Sequence, residues 1–487
     1  MYVVSRGRGV LVLPSPRASE LGIMWTSFPP MPLLPITSCA TIQKCKSLPL
    51  RPSDVFVCSY PKSGTTWMQH IVLSLILADM RYRSRGKGND RNDDDGKAGG
   101  GGDDDDDGRP RRDEDRIDVV GYDHVSEFAP FFEIDAHWED GDCDGGGGDY
   151  DDDSTPPLAG DVRANHARLG RRVFNTHLRW DMLPKGRERR RQSASAGGRA
   201  GRGIEGFASR TRINDGRRDN STMPSCGKFL YVVRDLPDAC VSFYHHLSNQ
   251  GEGTYDRGFE AFARDWMDGA MPFGSPLHHL LSYAEGFAVN RYYDDDDVGC
   301  DETASSSSSS SETATTSHEH STNNVSSNGN SNNSFSSIPP PRQRPLLLIS
   351  YERMKSNLRE EVLRIIEFLG LDHIPVEALD GEILPMFDFR YMREKSTMFQ
   401  PRSVTWLNGF QFLRMGVVGD GRRLMMETTV RDNNDDDDCC KGVSLMRKFR
   451  DWVNDEGYRL RISELVQHGL EMETAERFLA AISSADE

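Results

Sequence analysis

A short apolar run that leads through a glycine-containing turn into a helix-forming stretch constrains the fold of this chain more than any other feature. Residues Val55–Ser59 are apolar and rich in strand-forming types, which predicts a buried strand. Residues Trp67–Met80 carry apolar side chains at 67, 68, 71, 72, 75 and 76, the spacing of one helix face. Three further runs predict strands: Arg172–Asn175, Phe229–Val233 and Leu346–Ser350. Strands that alternate with amphipathic helices predict an α/β fold, a single domain with a central, mainly parallel sheet flanked by helices.

The helices expected after these strands have recognisable ends. Residues Pro237–Leu247 start with a proline, which suits a first-turn position. After the last strand, Ser356 is the predicted N-cap of a helix that ends at Gly370. Residues 258–292 are predicted to be helical, and residues 443–487 to form a helical tail.

Low-complexity runs interrupt the predicted domain. Five pure Asp runs together hold 19 Asp residues, against a formal net charge of −17, so the rest of the chain is close to neutral. Such runs are typical of solvated, disordered segments, with an acidic docking tail as the alternative. We predict one domain at 51–432, an extension at 1–50 that is disordered or targets an organelle, and an acidic linker and helical tail at 433–487. The predicted long disordered inserts lie at about 83–117, 139–168, 185–225 and 294–342.

Cysteine usage and hydropathy indicate the cellular compartment of the protein and the partners that it can have. The nine cysteines are an odd number without paired metal spacing, so we expect no metal site, no disulfide framework and a cytoplasmic location. The longest apolar run, Ile71–Ala78, is far shorter than the ~20 residues of a membrane span. We expect neither a membrane nor a nucleic acid as a partner.

The turn at Tyr60–Trp67 predicts an anion site. Backbone N–H groups at a helix N-terminus bind phosphate, and Gly64 lets the backbone approach an anion closely. Lys62 adds a full charge, and Trp67 offers a flat face for stacking on a base. Three hydroxyl side chains add donors: Ser63, Thr65 and Thr66. The turn is a nucleotide-kinase-like phosphate-binding loop, but its lysine precedes the glycine and Ser59 stands where a nucleoside triphosphatase loop needs glycine.

Residues 60–67 resemble the 5'-phosphosulfate loop of the cytosolic sulfotransferase family, whose donor is PAPS (3'-phosphoadenosine-5'-phosphosulfate). Further segments resemble the family's motifs in the family's order: Glu127–Glu133, Val173–Pro184, Phe229–His245, Phe259–Leu280, Ser350–Lys355 and Phe412–Asp420. The resemblance covers about half of the chain. It implies transfer of a sulfuryl group from PAPS to a hydroxyl or amine of a small acceptor, with release of PAP and without a metal.

The resemblance also implies roles for single residues. Lys62 matches the lysine that stabilises the leaving group, and His177 matches the catalytic base. Arg234 and Ser242 match the pair that holds the 3'-phosphate. Further matches in the donor site are Trp67, Tyr351 and Phe389 beside adenine, with Arg414 and Gly416 in the last phosphate motif. The residues expected in the acceptor pocket are Phe128, Phe131, Phe132 and His245.

Four positions depart from the family's pattern. Asn175 stands where many members have a lysine two residues before the base, and Met415 replaces a lysine of the last phosphate motif. Gly421 and Arg422 stand where tryptophan and lysine are usual. The family's C-terminal dimer motif is not recognisable, so homodimer formation stays open. The departures leave a non-catalytic PAP-binding protein as one alternative, and an ATP-dependent, kinase-like enzyme is the other.

Overall fold

The computed structural model describes residues 28–89, 121–139, 158–184, 227–295, 346–430 and 443–483. The predicted insert 185–225, most of the other three inserts, the acidic linker and residues 1–27 lie outside these ranges.

A parallel sheet forms the centre of the described part of the chain. Its strands are Val55–Ser59 (β1), Val173–Thr176 (β2), Lys228–Val233 (β3) and Leu346–Ser350 (β4), in the order β2-β1-β3-β4. The register pairs Val55 with Val173 and with Lys228. This arrangement confirms the predicted parallel sheet. A separate antiparallel pair joins Thr429–Val430 (β5) to Val443–Ser444 (β6).

Helices surround the sheet. Those of eight or more residues are Cys39–Ser47 (α1), Thr65–Asn89 (α2), Gly160–Leu169 (α3), Leu236–Ser248 (α4), Phe259–Met267 (α5), Pro276–Asp295 (α6), Leu358–Leu369 (α7), Asp420–Glu427 (α8), Leu445–Asp455 (α9), Tyr458–Gln467 (α10) and Met472–Ala480 (α11). Shorter helices are Val125–Phe128, Tyr351–Ser356, Val376–Ala378 and Phe389–Glu394. None of the helices in the described ranges is long and apolar enough to cross a membrane.

Both faces of the sheet are buried, which explains why its strands are continuous apolar runs. Val55 and Val57 of β1 belong to one apolar cluster, with side chains of α2 and α7. Phe56 and Cys58 point the other way and belong to a second cluster, with side chains of α6 and the C-terminal helices.

The N-terminal extension is folded from residue 28 onward, so the prediction for residues 1–50 is wrong for this part. Helix α1 begins after Ser38, whose hydroxyl accepts a hydrogen bond from the Thr41 N–H at 3.1 Å. Cys45 of α1 is fully buried, and its thiol donates to the carbonyl of Phe132 at 3.2 Å. Contacts with residues so distant in sequence are what fold a segment whose own composition looked unstructured.

Two other predicted boundaries are also wrong. Helix α3 occupies the end of the predicted insert 139–168, where buried Val162 and Leu169 form a stripe too short to stand out in the sequence. The predicted tail is helical, but it is part of the domain and not a separate segment, because Phe449, Tyr458 and Phe478 are fully buried in the same cluster as Phe56.

Helix ends differ from the sequence prediction where turns intervene. Ser350, and not Ser356, caps a helix, because Ser356 is the last residue of the short helix Tyr351–Ser356. Gly370 does end α7, in a left-handed conformation. The predicted helix 258–292 is two helices, α5 and α6, since Phe273 and Gly274 between them have φ angles of 71° and 70°.

Candidate active site

The phosphate-binding loop lies between β1 and α2, at the carboxyl end of the sheet. Lys62 and Gly64 have positive φ angles of 68° and 107°. A Cβ atom at Gly64 would lie 2.8 Å from Cδ2 of Tyr351, so glycine is required by both conformation and space. The first N–H groups of the long helix α2 lack partners within the helix and face this turn.

His177 follows β2 and is held beside the end of β1. Its Nδ1 lies 2.8 Å from the carbonyl oxygen of Ser59. A carbonyl can only accept a hydrogen bond, so Nδ1 carries the proton and Nε2 carries the lone pair. Burial lowers the pKa of His177 to about 4, and the Lys62 ammonium acts in the same direction. The side chain is therefore a neutral imidazole at neutral pH, with a basic Nε2.

The backbone of His177 is fixed by two residues that the sequence did not single out. The Glu133 carboxylate accepts a hydrogen bond from the His177 N–H at 2.9 Å, and His279 Nε2 lies 3.1 Å from the His177 carbonyl oxygen. Burial raises the pKa of Glu133 to about 7. A glutamate at the end of an aromatic segment was the signal that could have identified this contact.

Of the three phenylalanines predicted for the acceptor pocket, Phe131 lies beside His177, at 5.5 Å between ring centroids. On the other side Phe273 lies at 5.1 Å. Phe128 and Phe132 are buried in the two apolar clusters that cover the sheet, so their assignment to the pocket is corrected. Phe132 packs in the core against Phe56, because Phe131 pairs with Asn175 in a strand-like bridge and successive side chains of an extended segment point to opposite faces.

Lys62 projects into the same site and is half-buried. Its Nζ lies 3.4 Å from Nδ1 of His246 and 4.2 Å from the ring centroid of Phe412. Burial, with the neighbouring guanidinium groups of Arg234 and Arg414, lowers the pKa of the Lys62 ammonium to about 7.

The histidine that faces Lys62 is His246, the neighbour of the predicted pocket residue His245. His245 is half-buried and its ring lies 5.4 Å from that of Tyr244, and its place in the acceptor pocket stays a prediction. Burial and the positive charge of Arg414 lower the pKa of His245, whereas Asp420 acts in the opposite direction. Adjacent residues of a helix are turned by about 100°, so one of the two histidines of α4 must face away from Lys62.

Arg234, at the end of β3, joins the loop to the segment 412–421. It donates from Nη1 to the carbonyl oxygen of Lys62 at 3.0 Å, and its guanidinium lies 4.3 Å from the ring centroid of Tyr351. Its Nε is buried and has no acceptor within the described part of the protein. Ser242 lies further along on α4 and is half-buried. Nη2 of Arg234 lies 3.6 Å from the Asp238 carboxylate, so of the three guanidinium nitrogens it is Nε that is left to donate to a phosphate.

The segment 412–421 is anchored to the start of α4. The Asp238 carboxylate accepts hydrogen bonds from the N–H groups of Gly419 and Gly421, at 2.9 and 2.7 Å. A Cβ atom at Gly421 would lie 2.1 Å from the carbonyl carbon of Pro237, so the packing of these two segments requires glycine at this position. Arg414 forms an ion pair with Asp420 in this segment.

The three aromatic residues predicted beside adenine form one cluster next to the loop. The rings of Trp67 and Tyr351 meet edge to face at 5.6 Å. Lys355 Nζ lies 5.7 Å from the ring of Trp67 and 5.9 Å from that of Phe389. Phe389 in turn covers Gly416, where a Cβ atom would lie 2.5 Å from Cδ2 of the ring.

The two residues that replace family lysines lie outside this constellation. Asn175 is fully buried, and its amide donates to the carbonyl oxygen of Ala129 at 2.8 Å. Met415 is exposed. Within the described ranges, no group of three or more His, Cys, Asp or Glu side chains could hold a metal ion.

A cavity of about 340 Å³ lies next to Phe273. Phe273, which contacts His177, is also part of its wall. The wall combines charged and polar side chains with apolar ones: Arg179, Asp268, His278 and Glu456 line it together with Met31, Phe273 and Trp452.

The chain resembles known sulfotransferases over much of its length. It is 25% identical to luciferin sulfotransferase of Photinus pyralis over 252 residues, which is 50% of this chain and 45% of that protein. It is 24% identical to sulfotransferase 1E1 of Rattus norvegicus over 198 residues, so the chain spans about half the length of these two relatives. Sulfotransferase 1A1 of Mus musculus is 21% identical over 383 residues, 78% of this chain and 81% of that protein.

Solved structures give the same kind of match. Mouse sulfotransferase SULT7A1 complexed with PAP superimposes with a TM-score of 0.38 and 16% identity, over 80% of this chain and 84% of that chain. Retinol dehydratase in a complex with retinol and PAP superimposes with a TM-score of 0.39 and 16% identity, over 80% of this chain and 82% of that chain. The sequence model of the sulfotransferase domain matches residues 52–191, 219–294 and 336–449, which is more than half of the chain. The chain therefore belongs to the sulfotransferase family.

Proposed function

We propose that this protein transfers a sulfuryl group from PAPS to a hydroxyl or amine of a small acceptor and releases PAP. One observation carries the proposal: two cationic side chains and a neutral imidazole meet at the same strand ends. The cations are Lys62 and Arg234, and the imidazole is that of His177, whose Nε2 carries a lone pair. A plain anion site would need the two cations and would have no use for the base.

The residues around the loop fit PAPS as donor. The N–H groups at the start of α2 and the hydroxyls of Ser63, Thr65 and Thr66 would hold the 5'-phosphosulfate. Arg234 would hold the 3'-phosphate through its unpartnered Nε, together with Ser242 and the last phosphate motif, Arg414 to Gly416. Trp67, Tyr351 and Phe389 would contact adenine, for which stacking on an aromatic face is favourable.

The chemistry follows from the protonation states. His177 Nε2 takes the proton of the attacking hydroxyl or amine as its oxygen or nitrogen bonds to sulfur. Bound PAPS supplies the electrophilic sulfur and the leaving oxygen. Lys62 stabilises the negative charge that develops on that oxygen, so its effect is larger in the transition state than in the ground state. The proton ends on His177 and the electron pair of the broken bond on PAP.

The acceptor is proposed to be a small molecule with one reactive hydroxyl or amine on an apolar carbon. Phe131 and Phe273 would enclose the carbon next to the reacting atom, and the cavity beside Phe273 would take the rest of the molecule. The location we propose is cytoplasmic, and one relative, cytosolic sulfotransferase 5 of Arabidopsis thaliana, is cytosolic by its name.

The test is a transfer assay with labelled PAPS against phenols, sterols, amines and sugars. We expect label in at least one acceptor, and PAP in an amount equal to the sulfated product. PAP binding without transfer to any acceptor would favour the non-catalytic alternative, which Asn175 and Met415 motivate. Transfer that requires ATP and Mg²⁺ would favour the kinase-like alternative.

The adjacent residues Phe131 and Phe132 provide a matched pair of variants. Phe131→Ala is expected to lower kcat/KM for the acceptor by about 10- to 100-fold, the equivalent of a lost apolar contact, with little change in stability. Phe132→Ala is expected to lower the free energy of unfolding by about 3–5 kcal/mol, because the ring is fully buried in the core. Steady-state kinetics and denaturant unfolding distinguish the two, and an exchange of the two phenotypes would refute the corrected assignment.

Arg234→Ala tests the donor assignment. We expect PAP to bind about 10- to 150-fold more weakly, since a hydrogen bond to a charged group contributes about 1.5–3 kcal/mol. Adenosine 5'-phosphate lacks the 3'-phosphate and is expected to bind the variant and the unaltered protein alike. Calorimetric titration with both nucleotides measures the difference, and an equal loss of affinity for both would exclude the proposed 3'-phosphate contact.

A further inference from the structure

His246 is the side chain that faces the Lys62 ammonium most directly. Its Nδ1 lies 3.4 Å from Lys62 Nζ. The imidazole is held in place by edge contacts with Trp406 and Phe412, at 5.1 and 5.9 Å between ring centroids. Phe412 also lies against the ammonium itself, at 4.2 Å. The imidazole and the ammonium therefore share one aromatic enclosure.

The protonation state of His246 follows from this contact. An ammonium can donate hydrogen bonds and cannot accept them, so Nδ1 of His246 must carry a lone pair. Burial, Lys62 and His177 hold the pKa of His246 well below its usual value, so the ring is neutral. His246 is thus an uncharged acceptor for a charged donor.

The other groups around Lys62 do not stabilise its charge. Arg234, from the end of β3, and Arg414, from the segment 412–421, are cations that disfavour it. His177, from the end of β2, is neutral, and its Nδ1–H donates a hydrogen bond to the carbonyl oxygen of Ser59. Among the described residues, no carboxylate forms an ion pair with Lys62. The hydrogen bond to His246 and the face of Phe412 are the interactions that favour the charged form.

We propose that His246 is a positioning residue, whose Nδ1 keeps the Lys62 ammonium charged and directed into the site before the donor binds. The inference rests on the proposed function, because it assigns a partner to the lysine that acts on the leaving oxygen. The donor would then meet a lysine that already carries its proton over most of the pH range below neutrality.

The experiment measures proton uptake when PAP binds, by calorimetry in buffers of different ionisation enthalpy between pH 5.5 and 8.5. The phosphates of PAP favour the charged lysine, so uptake rises as the pH passes through the pKa of Lys62 in the free protein. His246→Leu and His246→Asn are the matched variants, because the two side chains have nearly the same shape and only asparagine keeps an acceptor near the position of Nδ1. Lys62→Met identifies the titrating group, since its uptake must lose this transition.

We expect the transition in proton uptake near pH 7 in the unaltered protein. In His246→Leu it should lie about one pH unit lower, which is the scale of one lost hydrogen bond to a charge. In His246→Asn it should lie near the original value. The inference is overturned by an unchanged transition in His246→Leu. It is also overturned by equal shifts in both variants, which would make ring volume the cause. A chain that binds no PAP at any pH would instead overturn the proposed function, and the inference with it.

Discussion

Replacing His177 by alanine is expected to lower kcat for sulfuryl transfer by about 10²–10⁴-fold, the usual contribution of a positioned general base. The variant loses the Nε2 lone pair that takes the acceptor proton. Its affinity for PAP is expected to remain, because the loop and Arg234 are unaltered. Single-turnover kinetics for kcat and calorimetry for PAP affinity measure the two properties separately.

The matched control is His373→Ala. This half-exposed histidine bonds to Asp79 and is not part of the loop, the sheet edge or the cavity. We expect it to keep normal kcat. The pKa of His177, about 4, also predicts that protonation of this base lowers kcat/KM for the acceptor in acid and has no effect between pH 6 and 8. Full transfer activity in purified His177→Ala would refute the assignment of the base.

Replacing Lys62 by methionine is expected to lower kcat by about 10²–10³-fold, the typical effect of removing one donor to a developing negative charge. Methionine keeps most of the length of the side chain and loses the ammonium. In the unaltered protein, a pKa near 7 means that Lys62 is charged below neutral pH and loses its charge as the pH rises. We therefore expect kcat/KM for PAPS to fall above about pH 7, whereas kcat at saturating PAPS stays level because the donor's phosphates favour the charged lysine.

Lys62→Arg separates charge from position. A guanidinium stays charged throughout this pH range, so the fall of kcat/KM for PAPS above neutrality should disappear, even though the altered geometry lowers kcat. If the alkaline fall persisted in Lys62→Arg, another group would be responsible for it.

The sequence predicted well those parts of the fold in which the local pattern of residues fits one kind of secondary structure. Val55–Ser59 and Leu346–Ser350 are apolar on both faces, and both are strands with the predicted bounds. The turn that holds Lys62 and Gly64 was also predictable, because a glycine-containing polar run between a predicted strand and a predicted helix has few other interpretations. Arg234 and His177 follow two other strands, and parallel strands bring their carboxyl ends to one edge of the sheet.

The errors concern orientation and long-range packing. To tell that Phe131, and not Phe132, lies beside His177 one must know which side chains of the extended segment point to the site. To tell that His246, and not His245, faces Lys62 one must know which face of the helix does so. Adjacent residues of the same type do not reveal either orientation. The N-terminal helix α1 was missed because its stability comes from contacts such as that of Cys45 with Phe132, 87 residues away. The anchoring of Gly421 by Asp238 was missed for the same reason.

A single-turnover experiment with equal amounts of protein and of PAPS labelled in the sulfuryl group tests the central claim most directly. It uses the best acceptor from the panel and measures PAP, labelled product and free sulfate over time. Our account predicts that PAP and sulfated acceptor form together in equal amounts, and that Lys62→Met and His177→Ala slow both to the same extent. Release of free sulfate in place of labelled acceptor, or bound PAPS that stays intact in the presence of every acceptor, would contradict it.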